Sequence, residues 1–129
     1  MTDRRQKLLA LTDQFVDAFN RMNLDDVVSF FSEDAVYEDS AGGRHVGHKA
    51  IRTAFEPLVG GSRGSIRFDG EDVFAEVETG KVLASWRLSL DKDGDVSVIR
   101  GIDVLEFQGN KLAKKLAYMK VDKPHLETD

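Results

Sequence analysis

The stretch FFSEDAVYEDSAGGRHVGHKAI, Phe30 to Ile51, decides how the rest of the chain reads. A short strand, Ala35 to Glu38 after Asp34, ends in the carboxylate of Asp39, and the paired glycines Gly42 and Gly43 break it into a loop closed by Gly47. Apolar residues then recur at Ala50, Ile51, Ala54, Phe55 and Leu58, the spacing of a helix, which the run Pro57 to Gly61 stops. A second acid, Asp103, interrupts the apolar strand IRGIDVLEF. Two acids lodged in apolar segments far apart in sequence point to a small pocket with carboxyl chemistry, so Asp39 and Asp103 are expected to approach one another across one cavity.

Toward the N-terminus, Leu8, Leu11, Phe15, Ala18, Phe19 and Met22 define an amphipathic helix from Asp3 to Met22. Asn23 is placed to cap a shorter helix with Leu24, Val27, Val28 and Phe31 on its apolar side, and Asp25 and Asp26 suit its positive end. After Gly61 the period becomes two-fold and stays so. Ile66 and Phe68 lead into Val73, Ala75 and Val77, and a turn at Thr79 and Gly80 opens the strand Val82 to Leu90. Val96 to Phe107 and Leu112 to Val121 follow as further strands. Three helices followed by a run of antiparallel strands is an α+β pattern.

The loop DKDGD, Asp91 to Asp95, begins like a calcium loop but lacks the glutamate that would complete one, so it reads as a hairpin tip. His45 and His48 lie three apart without a third ligand, so no metal is expected and they read as loop histidines over the pocket mouth. No cofactor is implied.

With 129 residues the chain is long enough for one core, and a single domain over 1–129 is expected. A composition of 41% hydrophobic and 32% charged residues is that of a soluble globular protein. The net charge of −5 argues against nucleic acid or an anionic membrane as partner, and the run Lys111 to Lys115 reads as a solvated strand edge. The absence of cysteine excludes disulfides and thiol nucleophiles. The opening MTDRRQKLLALTDQF is charged where a signal peptide needs an apolar core, and no stretch reaches membrane-span length, so the default expectation is cytoplasmic. On the strand Gly101 to Phe107, Ile102 and Val104 lie on the side opposite Asp103. That second apolar side predicts a homodimer.

The order FVDAFNRMNLDDVVSFFSEDAVYEDSAGGRHVGHKAIRTAF followed by RGIDVLEFQGNKLAKKLAYMK resembles the nuclear transport factor 2-like superfamily, in particular its SnoaL-like polyketide-cyclase and ketosteroid-isomerase branches. The resemblance covers nearly the whole chain. It implies a cone-shaped barrel in which a strongly bent, mostly antiparallel sheet wraps three N-terminal helices around a deep apolar pocket. In the isomerase branch the position matching Asp39 is a general base that removes a proton next to a carbonyl. The position matching Asp103 is a protonated acid that hydrogen-bonds the oxyanion. The branch's tyrosine donor is not kept, since Phe15 stands in the matching place, so a standard steroid isomerase is not implied.

These residues predict an enzyme acting on a small apolar carbonyl compound, with Asp39 and Asp103 catalytic. Phe15, Phe19, Tyr37, Phe55, Trp86, Phe107, Tyr118 and Met119 are candidates for core or cavity wall. Tyr37 or Tyr118 is the candidate replacement for the missing phenol. The alternatives are a non-catalytic binding or assembly module, or an epoxide hydrolase or dehydratase. The hydrolase of this fold would need an arginine between two acids, which gives Arg87 and Arg100 their interest, while Arg87 read alone is solvated and Asp103 could pair structurally with either.

Overall fold

Asp3 and Asn23 each supply the side-chain oxygen that an exposed helix N-terminus lacks: Asp3 accepts from the Arg5 N–H and Asn23 from the Asp26 N–H. They start α1 (Arg4–Asn20) and α2 (Leu24–Ser29) in the computed structural model, which describes residues 3–122. Helix α1 ends two residues earlier than the spacing predicts, because Met22 turns to φ 53°. The remaining elements are β1 (Phe31–Glu38), β2 (Arg44–Val46), α3 (Gly47–Val59), β3 (Ser65–Glu76), β4 (Lys81–Lys92), β5 (Asp95–Gln108) and β6 (Lys111–Met119). Phe31, expected on the second helix, opens β1 instead. Pro57 lies inside α3 rather than stopping it, and β2, read as loop, is a three-residue strand too short to show a period.

The six strands form one sheet in the order β2-β1-β6-β5-β4-β3. Strands β3 to β6 are antiparallel neighbours, while β1 runs parallel to β6 and carries β2 on its outer edge. The inner face packs on α1 and α3. Phe15, 2% exposed, is the centre of that contact. Its ring meets Phe19, Phe30 and Phe31 edge-on at centroid distances of 5.0, 5.4 and 5.6 Å. Each fully buried ring of this kind contributes roughly 1.5–3 kcal/mol through area removed from water, and the edge-to-face geometry adds to it.

One irregularity determines the site. Between Glu106↔Lys114 and Phe107↔Leu112 the β5–β6 register slips, leaving Ala113 as an extra residue in β6. Strict alternation from the buried Leu112 would turn Lys114 and Leu116 inward and Lys115 outward. The bulge reverses this. Lys115 is buried at 5% exposure, which corrects the reading of Lys111 to Lys115 as a solvated edge. The same shift sends Tyr118, 56% exposed, to the outer face.

Candidate active site

Between α1, α3 and the concave face of the sheet lies a cavity of about 820 Å³. Its walls are mainly apolar, with Phe15, Phe19, Tyr37, Phe55, Trp86 and Met119 among them. Of the other two wall candidates, Phe107 is packed in the core at 3% exposure and does not reach the cavity. Tyr118 is outside on the convex face. Gly101 is required beside Trp86, because a side chain there would run into the indole only 2.5 Å away.

Asp103 faces this cavity from the middle of β5. Its neighbours on either side in the register are Ala84 and Ala117, whose small side chains leave the carboxylate room. The cation beside it is Lys115, whose Nζ donates to Asp103 Oδ1 at 3.1 Å. The two side chains are 7% and 15% exposed. A pair so poorly reached by water must stay paired, since either charge alone would be costly there. Arg100 and Arg87, weighed as partners of Asp103, point to the other face. They are register partners on β4 and β5, Arg100 lies 4.0 Å from Glu71, and both are exposed.

Tyr37 stands next to the ion pair, being the register partner of Lys115 on β1. The Lys115 ammonium lies 4.8 Å from the Tyr37 ring centroid and 5.6 Å from that of Phe55, and the two rings stack at 4.4 Å. Burial pushes the Tyr37 phenol well above the ordinary tyrosine range, and the charges of Asp103 and Asp39 add to the effect. It is therefore a neutral O–H donor at any ordinary pH, and it has no hydrogen-bond partner among the described residues.

Asp39 lies on the same inner face, two residues beyond Tyr37. Asp39, just past the end of β1, and Asp103 on β5 are separated in the sheet by β6. Their side chains are differently occupied. Asp39 Oδ1 accepts from the N–H groups of Ala41 and Gly43, both at 2.9 Å. Oδ2 takes the His45 Nε2–H at 2.8 Å. Gly43 permits this, since a Cβ there would sit 2.5 Å from Asp39 Oδ2. Partial burial pushes the Asp39 carboxyl up, but the His45 and backbone hydrogen bonds outweigh it and hold it below the usual carboxylate range. Asp39 is not part of the cavity wall, whereas its neighbour Ser40 is.

The two histidines separate. His45 stacks on Tyr37 with centroids 5.5 Å apart, and His48 Nε2 donates to the Phe31 carbonyl at 2.8 Å, pinning the start of α3 to β1. Sequence reasoning puts Lys115 on a solvated edge and misses its inward face. Its one visible signal is the doubled lysine in LAKKLAYMK, where one of two consecutive residues on a strand must face inward.

A family model described as a SnoaL-like domain matches residues 12–115. No curated protein matches the chain. Among solved structures, an NTF2-like protein of unknown function from Mesorhizobium loti is 21% identical, with 94% of this chain and 97% of that one covered and a TM-score of 0.75. An LEH-like epoxide hydrolase from M. tuberculosis is 18% identical over 93% of this chain and 83% of its own, with a TM-score of 0.78. The epoxide hydrolase/cyclase-like enzyme SalBIII, with a role in pyran ring formation in the polyether salinomycin, is 17% identical over 89% and 92%, also at 0.78. At these identities the likeness to solved structures is one of fold.

Proposed function

Starting from the fact that this chain belongs to the SnoaL-like domain family, we propose that it is a proton-transfer enzyme of isomerase or cyclase type, acting on a small apolar carbonyl compound held in the main cavity. The observation that carries this reading is the Asp103–Lys115 pair on an apolar wall beside the unpartnered Tyr37 phenol. Asp103 is the base, its free Oδ2 taking the proton next to the substrate carbonyl. Tyr37 donates to the oxyanion that forms, in place of the phenol lost at Phe15. A base so placed contributes on the order of 10²–10⁴-fold, and an oxyanion donor about 2.7–4 kcal/mol. The volume of about 820 Å³ suits a fused-ring or polyketide-sized ligand.

This assignment moves the role of base from Asp39, where the resemblance puts it, to Asp103. The three bonds to Asp39 engage both of its oxygens, whereas Asp103 has only Oδ1 engaged, and the Asp39 carboxylate is turned into the loop. Asp39 instead holds His45 against Tyr37, a positioning role. The arginine-dependent epoxide opening gains no support from Arg87 and Arg100 on the outer face.

The outer face supports a homodimer as part of the same proposal. Phe74, Leu83, Val104 and Leu116 form one row across β3 to β6, and Ile102 lies beside Tyr118 in the next. Phe74, Ile102 and Tyr118 are 53%, 39% and 56% exposed, a contiguous apolar surface of the kind a second subunit covers.

Trp86, the one tryptophan, lines the cavity and reports occupancy. Titration with a panel of apolar ketones is expected to change its emission, and the ligands that bind should exchange their α-protons in deuterated water. Binding without exchange for every ligand would replace the enzyme reading with that of a binding module.

A further inference from the structure

We infer that Lys115 is a carbonyl-capturing amine, condensing with an aldehyde or ketone carbon in the main cavity to form an iminium. The inference rests on the reading above that the cavity takes a carbonyl compound, and it adds covalent activation to it. Lysine is almost never buried unless paired, and Lys115 is 5% exposed yet reaches the cavity wall. A bulge in β6 is what brings it there. Stability alone does not account for the pair, because apolar residues of similar size commonly serve a buried site as well or better.

The surroundings suit the chemistry. Asp103, at 3.1 Å, is the ammonium's single hydrogen-bond partner among the described residues, so two of its three N–H directions are uncommitted. Ala84 and Ala117 beside Asp103 leave space for a tetrahedral carbon. The ammonium lies 4.8 Å from the Tyr37 ring centroid and 5.6 Å from that of Phe55, and its side chain is 7% exposed, the poorly hydrated setting that favours an amine nucleophile.

The step balances with no co-reactant. Asp103 takes one proton from the Lys115 ammonium, and the freed nitrogen lone pair forms the C–N bond while the carbonyl π pair moves to oxygen. Asp103 returns that proton to the oxygen. With a second proton from nitrogen the oxygen leaves as water, and the nitrogen lone pair closes C=N. The product is a protonated imine and one water. Its positive charge replaces that of the ammonium, so the ion pair with Asp103, absent while Asp103 holds the proton, is restored in the product. Asp103 is then placed to remove an α-proton acidified by the iminium.

Trapping tests this without turnover. The full chain is incubated at neutral pH with 2-naphthaldehyde and cyanoborohydride, and adducts are read by intact mass and peptide mapping. The expected adduct adds the mass of the aldehyde less one oxygen, and Lys115 is modified at least tenfold faster than Lys7, Lys49 or Lys114. Lys115→Arg, with Trp86 emission as the check of folding, should lose that fast phase. If the variant fails to fold, the wild-type map decides alone. Modification of surface lysines at the same rate as Lys115, or none at Lys115, overturns the inference. Proton exchange without trapping leaves the non-covalent reading standing, whereas trapping without exchange removes that reading and keeps the capture.

Discussion

Lys115→Met removes one half of a pair whose side chains are only 7% and 15% exposed. Both values lie well below a third, so screening by water discounts little of the interaction. Losing one partner of a buried pair costs about 3–5 kcal/mol, because the other charge is left behind. Asp103 borders the cavity and is the more accessible of the two, which places the expected loss near the lower bound, about 3 kcal/mol. With a urea m-value of about 1.5 kcal/mol/M, the unfolding midpoint falls by about 2 M. Adding Asp103→Leu to Lys115→Met removes the orphaned charge and should recover the midpoint to within about 1 kcal/mol of wild type. The assay is equilibrium urea unfolding followed by Trp86 emission. A single variant within about 0.5 kcal/mol of wild type, or a double variant showing simple addition of two losses, would refute a buried, mutually dependent pair.

Three further outcomes follow from the same geometry. In Tyr118→Phe, which leaves Tyr37 as the one tyrosine, tyrosinate absorbance should stay absent at about pH 11 and appear only with unfolding. The raised phenol stabilises the fold below the ordinary tyrosine value near 10.0 and is lost as pH rises through the folded value. Asp39 has the opposite sign: its lowered carboxyl contributes stability above the ordinary value of 3.8 that disappears as pH falls through the folded value. The gap in urea midpoint between wild type and Asp39→Asn should therefore narrow on acidification below that value, and a gap independent of pH contradicts the turn geometry. Sedimentation at micromolar concentration should give twice the 14.4 kDa chain mass, and Ile102→Asp with Tyr118→Asp should return the monomer. A wild type sedimenting as a monomer counts against the dimer.

Much of the frame was legible because local chemistry and the final fold agree. Asp3 and Asn23 cap the helices they precede, and strand parity on β5 correctly opposes Ile102 and Val104 to Asp103. The site was less legible. Lys115 was hidden by a bulge, since one extra residue inverts the faces of everything after it and leaves no mark in composition. Residue type alone puts Tyr118 in the pocket, and the same inversion places it outside. The arginines that the sequence offers Asp103, Arg87 and Arg100, point to the other face, and the sheet supplies a lysine from the adjacent strand instead. The bonds that commit Asp39 to its turn depend on Gly43 and on β2, a strand of three residues that periodicity cannot register.

The central claim is that Asp103, rather than Asp39, removes the proton, and α-proton exchange tests it most directly. A ketone shown by Trp86 emission to bind is held in deuterated water with wild type, Asp103→Asn or Asp39→Asn, and loss of its α-proton signal is followed by NMR. Ligand binding by each variant confirms a folded cavity. Asp103→Asn should slow exchange at least about 10²-fold, and Asp39→Asn should stay within about tenfold of wild type, since it perturbs only the positioning of His45 and Tyr37. Exchange at the wild-type rate in Asp103→Asn, together with its loss in Asp39→Asn, would contradict the account and return the base to Asp39.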